Sequence, residues 1–388
     1  MGKRKAHARR DVDGRALTLH LRYAAADIDK MNEWLRSHDD LHNDIFQAKR
    51  GKTLDMELAI RAIAGQRYRA EKANMEGPMA HMREKRLGWR YFGLVRGDTY
   101  TPPRLGEYLK ALEGGRNVIP LLRSYSLGIK LKCSQVRTFH YQAEHKQAGY
   151  GHYRIRPMRV FLGAISLAQD LDVELNTDDI ALTVFRFVPP SQCEPVTERW
   201  LLDDACEFLK RKSAKQVSYE ERFRSLTTQA FSEVGRSSFT RDEFRKKCLN
   251  AANDVWNWII LSHKLGLIDR RTTTPQRWSS TKLRYHRTAQ RDYDIVSLTD
   301  LGRSALLEME KAIPIWYDDV VAATSSPNEK KALLIILGDL GAKRRVRSSS
   351  ISARLFTIIA GLGVKLTSNL QSEQPVVFTP PYDIPPVK

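Results

Sequence analysis

Apolar residues along the chain recur with two spacings, and the changes between them mark most of the expected elements. Helical spacing appears around Ile28, Met31, Trp34 and Leu35, and again over 54–73 with Leu58, Ile60, Ile63 and Tyr68. It is strongest after Pro157, where Val160, Phe161, Ile165 and Leu167 follow one another. Alternation of period two at Leu17, Leu19 and Leu21 predicts a short strand. The stretch from Leu87 to Thr101 predicts a hairpin: an aromatic and aliphatic run, the polar turn Arg96-Gly97-Asp98, then Tyr100-Thr101. A basic helix over 79–86 leads into it, and a proline-started helix at 103–112 follows it.

Stop and start signals place the later helices. Asn176 or Thr177 caps a helix over 178–187, whose Asp178 and Asp179 suit the positive end of the dipole, and Pro189-Pro190 stops it. A helix over 196–212 closes in Lys210-Arg211-Lys212, and Thr240 to Glu243 carries the capping pattern of another. Trp256 and Trp258, amid Ile259, Ile260 and Leu261, read as core.

The hairpin plan recurs downstream. Gly93-Leu94-Val95 matches Gly266-Leu267-Ile268, and Arg104-Leu105-Gly106 matches Asp300-Leu301-Gly302. Helix, basic turn, β-wing and helix is the order of a winged helix. The expected fold is mainly α with short β-wings (α+β), built as tandem winged-helix or helix-turn-helix modules. Its parts are a basic flexible arm (1–16), a first winged-helix module (17–115), a basic connector (116–156), a helical middle part (157–215), a second winged-helix module (216–312) and a helical C-terminal segment (313–388).

Charge narrows the function. Lys and Arg number 64 against 45 Asp and Glu, a net charge of +19, and nucleic acid is the commonest polyanion to meet such an excess. No apolar run is long enough to span a membrane and the basic N-terminus lacks a signal-peptide core, so a soluble cytoplasmic protein is expected. Cys133, Cys193, Cys206 and Cys248 stand far apart, without the close pairs of a structural zinc site.

The candidate DNA-binding residues follow from these placements. Lys246, Lys247, Asn250 and Asn253 share one helix face at spacings of three and four, where Asn can contact adenine and Lys guanine. Arg241 opens that helix. Arg83, Lys85, Arg86 and Arg90 belong to the first basic turn and wing, and Arg270, Arg271 and Arg284 to the second. Arg137, His140, Arg154 and Arg156 stand in the connector. Such arginines neutralise phosphates and fix register. For hydrolysis, Glu144-His145-Lys146 is the only Glu-x-Lys in a suggestive place, and no Asp-bearing apolar strand precedes it. There is no phosphate-binding GxxxxGK[ST] loop. No catalytic site emerges from the residues.

The sequence resembles the recognition portion of the AlwI-like type IIS restriction endonucleases, the group of PleI, MlyI and strand-nicking relatives. The resemblance runs through Arg90 to Leu94, Thr101 to Leu109, Gln142 to Ile165 with its Arg156-Pro157-Met158-Arg159-Val160-Phe161 entry, Asp178 to Phe185, and Asn250 to Leu267. It implies tandem winged-helix domains reading a short asymmetric duplex target. It also implies a separate C-terminal PD-(D/E)xK nuclease domain that cuts with Mg²⁺. The chain ends near Pro380-Pro381-Tyr382-Asp383, which resembles the run-in to that domain. A truncated or split enzyme, or a recognition subunit with a separate nuclease subunit, is therefore expected; this chain itself calls for no cofactor. The alternatives are a winged-helix transcription regulator or replication initiator, and a nuclease using Glu144 and Lys146.

Overall fold

The computed structural model describes residues 102–128, 153–185, 195–218, 255–273, 293–341 and 343–378, with isolated positions before and between these segments. The elements expected at Leu17–Leu21, 54–73 and 79–86, and the helix begun near Thr240, lie outside the described residues. The described part is mostly helical, with small sheets.

The first hairpin forms at the expected place. Val95–Arg96 (β1) pairs antiparallel with Thr99–Tyr100 (β2), Val95 opposite Tyr100. The helix Pro102–Glu113 (α1) follows and buries Tyr108, Leu109, Ala111 and Leu112. Gly115 ends it at φ 64°, a conformation that costs a Cβ-bearing residue, while Arg116 N–H donates to Ala111 O at 2.8 Å. The segment expected to be a connector then begins with a helix, Ile119–Leu127 (α2). The Asn117 side chain accepts the Ile119 N–H at 3.0 Å, Pro120 occupies the first turn, and Leu122 and Tyr125 enter the core.

Tyr153–Arg154 (β3) leads into Pro157–Asp170 (α3), the central helix. Met158, Val160, Phe161, Leu162, Ala164, Ile165 and Ala168 are all buried, so α3 is covered on more than one side. Leu175–Asn176 (β4) precedes Thr177–Leu182 (α4), capped by Asn176 in a full capping box with Asp179. This helix is shorter than expected. Its last carbonyls are taken early, with the Thr183 hydroxyl donating to Asp179 O at 2.7 Å, and Val184 and Phe185 then turn into the core. Phe185 stacks between Phe161 (5.6 Å) and Trp258 (4.9 Å), which confirms Trp258 as core.

Val196–Thr197 (β5) pairs parallel with β3, and Glu198–Ser213 (α5) follows, its cap the Thr197 hydroxyl. Glycine at 163 lets α5 come close to α3, since a Cβ there would stand 2.9 Å from the Leu202 side chain. Residues 255–264 are helical (α6) and bury Val255, Trp258, Ile259 and Leu261. Ile268–Thr273 (β6) and Tyr293–Leu298 (β7) then form a six-pair antiparallel ladder, and β4 joins the far side of β7. The sheet order is β4-β7-β6. Asp300–Lys311 (α7), capped by Thr299, packs on α3. Strand β4 belongs to the segment expected as a helical middle part, and β6 and β7 to the expected second module. They share one sheet, and one hydrophobic core draws on residues from Ile28 to Met309.

A second hydrophobic cluster lies beyond it. Ile313–Ile315 (β8), Tyr317–Ala323 (α8), Pro327–Gly341 (α9), Ala353–Gly361 (α10) and Val376–Phe378 (β9) surround Ile315, Val320, Leu333, Ile336, Leu337 and Ile359. Strands β8 and β9 pair parallel. The start of α9 is tied to α10 through Glu329, which accepts the Ser325 N–H at 2.7 Å and an Arg354 guanidinium. The backbone N–H of Ser325, seconded by Arg354 and the Ser325 hydroxyl, holds the Glu329 carboxyl below its ordinary range. A lowered folded value gives stability that is present above the unfolded value and fades as pH falls through the folded one. Glu329→Gln is therefore expected to lower the thermal midpoint at neutral pH, with the difference closing as pH falls below the usual glutamate range. A difference constant with pH would contradict this.

Candidate nucleic-acid interface

The ladder between β6 and β7 separates two faces. Ile268, Val296, Leu298 and Leu175 point to the core, and Asp269, Arg271, Ile295 and Ser297 lie on the opposite face. Arg270 sits on the core-side face of β6, the edge strand, where its exposed guanidinium is 3.7 Å from the buried Asp294 carboxylate. Arg271, 66% exposed, pairs with the equally open Glu174 just before β4. An ion pair that open is worth about 0–1 kcal/mol, so Arg271 can exchange Glu174 for a phosphate at small cost.

A second basic group reaches the same place from α5. Lys212 donates to the Glu174 carbonyl and, at 2.6 Å, to the buried Asp179 carboxylate. This tether sets the last turn of α5 beside the start of β4, with Lys210, Arg211 and Lys215 exposed. The sequence showed this basic turn, but not its neighbour. The signal for the contact was the unusual burden on Asp179, a carboxylate that both completes a cap and needs a cation. The turn between α6 and β6 is held from below by Arg123 of α2, whose Nε donates to Leu265 O at 2.7 Å. Burial lowers the Arg123 pKa, and a guanidinium remains charged through any such shift at neutral pH. Its charge lies against the C-terminal carbonyls of α6, where the helix dipole favours a cation. Helix α2 thus supports the turn into β6, a role that its position in the expected connector gave no sign of.

Two connector arginines differ from expectation. Arg156 is 3% exposed and cannot meet DNA. It makes a two-point pair with Glu198 at 2.7 and 2.8 Å, and donates to Met309 O at 2.7 Å. Arg159 adds a further contact to Glu198 at 3.1 Å. Arg156 therefore locks α3 to α5 and α7, and its reading as a phosphate contact is corrected to a structural one. Arg154 is partly open but pairs with Asp319 of α8 at 2.9 Å, linking β3 to the C-terminal cluster. Of the other expected contacts, Arg83, Lys85, Arg86, Arg90, Arg137, His140, Arg241, Lys246, Lys247, Asn250, Asn253 and Arg284 lie outside the described residues.

No family model, curated protein or solved structure matches the chain. Among the described residues no group of three His, Cys, Asp or Glu side chains stands at metal-binding distance, and Glu144 and Lys146 lie outside them. No helix among the described residues is long and apolar enough to cross a membrane.

Proposed function

We propose that the chain recognises duplex DNA through winged-helix modules, as the target-recognition part of a type IIS restriction or nicking system. The observation that carries this reading is the three-stranded antiparallel sheet β4-β7-β6, with α3 before it and α6 entering it. Helix α3, strand β4 and helix α4, then, after the intervening β5 and α5, helix α6 feeding the strands β6 and β7, would follow the order of a winged helix with an inserted strand and helix. Lys246, Lys247, Asn250 and Asn253, which precede α6 in the sequence, are the base contacts this reading assigns. The net charge of +19 supplies the attraction to phosphate. Cleavage belongs to a separate PD-(D/E)xK nuclease domain or subunit, and Mg²⁺ to that partner.

Arg270 and Arg271 act on the backbone rather than on bases. Replacing both with alanine is expected to weaken binding to target and random duplex alike, and to lower the slope of log affinity against log salt by about 1–2. Anisotropy titrations over a salt series read both quantities. A loss confined to the target sequence would assign the pair to base reading, and no loss on either duplex would remove the β6 edge from the interface.

A further inference from the structure

We propose that the loop 343–347 in the C-terminal cluster is a second phosphate-binding surface, one that grips the sugar–phosphate backbone of duplex DNA without reading sequence. The proposal rests on the duplex-binding reading above, yet its residues belong to a different hydrophobic cluster from β6 and α5.

The loop Lys343-Arg344-Arg345-Val346-Arg347 holds four of the eight basic residues between 313 and 378. Its shape is fixed at two points. After α9, Lys343 takes the left-handed conformation at φ 57°, with Lys343 N–H donating to Leu340 O at 3.0 Å and Arg344 N–H to Asp339 O at 2.8 Å. This is a helix cap that glycine usually fills. A lysine there carries a backbone penalty, offset in part by placing its charge at the negative end of the α9 dipole. Three residues on, Val346 is 4% exposed within the second hydrophobic cluster, and its N–H donates to Leu370 O at 3.0 Å.

Pinned at the cap and at Val346, the loop turns Lys343, Arg344, Arg345 and Arg347 outward, and all four are exposed. Arg344 lies 3.8 Å from Asp339 and is itself 73% exposed, a weak pair. Among the described residues, Lys343, Arg345 and Arg347 have no carboxylate at ion-pair distance. Arg354, the next cation along, is already engaged by Glu329. Cations held this close repel one another, and a polyanion relieves that repulsion. Three of the four are arginines, whose planar donor fork matches phosphate oxygens. The turn Ser348–Ser350 continues the loop with three exposed serines, which add hydroxyl donors.

The test uses the full chain and a random-sequence duplex, with Lys343, Arg344, Arg345 and Arg347 all changed to Gln. All four are exposed, so the fold is expected to be retained, with the thermal midpoint lowered only slightly by loss of the Lys343 charge at the end of α9. Between about 50 and 200 mM salt, the slope of log affinity against log salt is expected to fall in magnitude by about 2–4, with at least about a tenfold loss of affinity at the low-salt end. The ratio of target to random affinity should be preserved. The pair Arg345→Gln and Arg347→Gln, which leaves the helix cap intact, should show about half of that slope change and guards against a folding artefact. An unchanged slope in both variants overturns the proposal while leaving the wing reading standing. Loss of binding to phosphatidylserine vesicles with duplex binding intact also overturns it, in favour of a lipid surface. Wild-type protein that binds no duplex at all sinks both readings together.

Discussion

Arg156→Ala is expected to destabilise the protein by about 3–5 kcal/mol, because it removes one member of a buried ion pair and leaves the other uncompensated. Glu198 would keep only Arg159 at 3.1 Å and the Arg156 N–H at 2.8 Å, and Met309 O would lose its donor. Three elements loosen together, since α3, α5 and α7 all meet at this guanidinium. For a unit of this size the thermal midpoint should fall by about 10 °C. Pairing Arg156→Met with Glu198→Gln should recover part of the loss, because the carboxylate is no longer left uncompensated and Arg159 keeps Glu310 at 3.8 Å. Differential scanning calorimetry distinguishes the outcomes. A drop below about 1 kcal/mol, within the range of a surface ion pair, would mean that the clamp is open to water.

Gly302→Ala is the second large effect. A Cβ at this position would stand 1.9 Å from the Leu267 carbonyl oxygen and 3.4 Å from the Leu298 side chain. That oxygen belongs to backbone and also accepts the Thr299 N–H at 3.2 Å, so the first turn of α7 must move off the base of β6. The expected cost is about 3 kcal/mol, at the upper end of overpacking effects. Because β6 carries Arg270 and Arg271, duplex affinity should fall with stability. Gly338→Ala in α9 is the control. No atom lies within 4 Å of its Cβ position, so it should be neutral or stabilise by about 0.5–1 kcal/mol through helix propensity. Urea unfolding of the two variants tests the contrast, and equal stability of both would contradict the close approach at Gly302.

The same glycine illustrates what the sequence could convey. The recurrence of Leu-Gly at 265–266 and 301–302 was visible as a pattern, and the structure supplies its cause. Gly266 turns α6 into β6 at φ 72°, and Gly302 lets α7 rest against Leu267. Local signals served well wherever the determining partners were close in sequence. The β1–β2 hairpin, the proline-started α3 and the Asn176 cap all depend on neighbours within one element or one turn. Arg156 depended on partners 42 and 153 residues away, so its charge alone suggested a phosphate contact. A hint was available: an arginine between Ile155 and Pro157, at the mouth of an almost wholly apolar helix, is poorly placed to face water. Strand β4 was illegible for another reason. Two residues carry no periodicity, and only pairing with β7 makes them a strand. Helix α2 is less legible because charged residues dominate the stretch after it, although Asn117 and Pro120 mark its start.

Selection of bound duplexes from a randomised library by the full chain tests the central claim most directly. Recognition by two non-identical modules in one chain predicts enrichment of a short asymmetric motif, with affinity for it well above that for unselected duplex at the same salt. Enrichment of a palindrome would contradict the account in favour of a symmetric dimeric regulator. Retention of duplexes with no sequence preference would contradict recognition altogether and leave only phosphate binding.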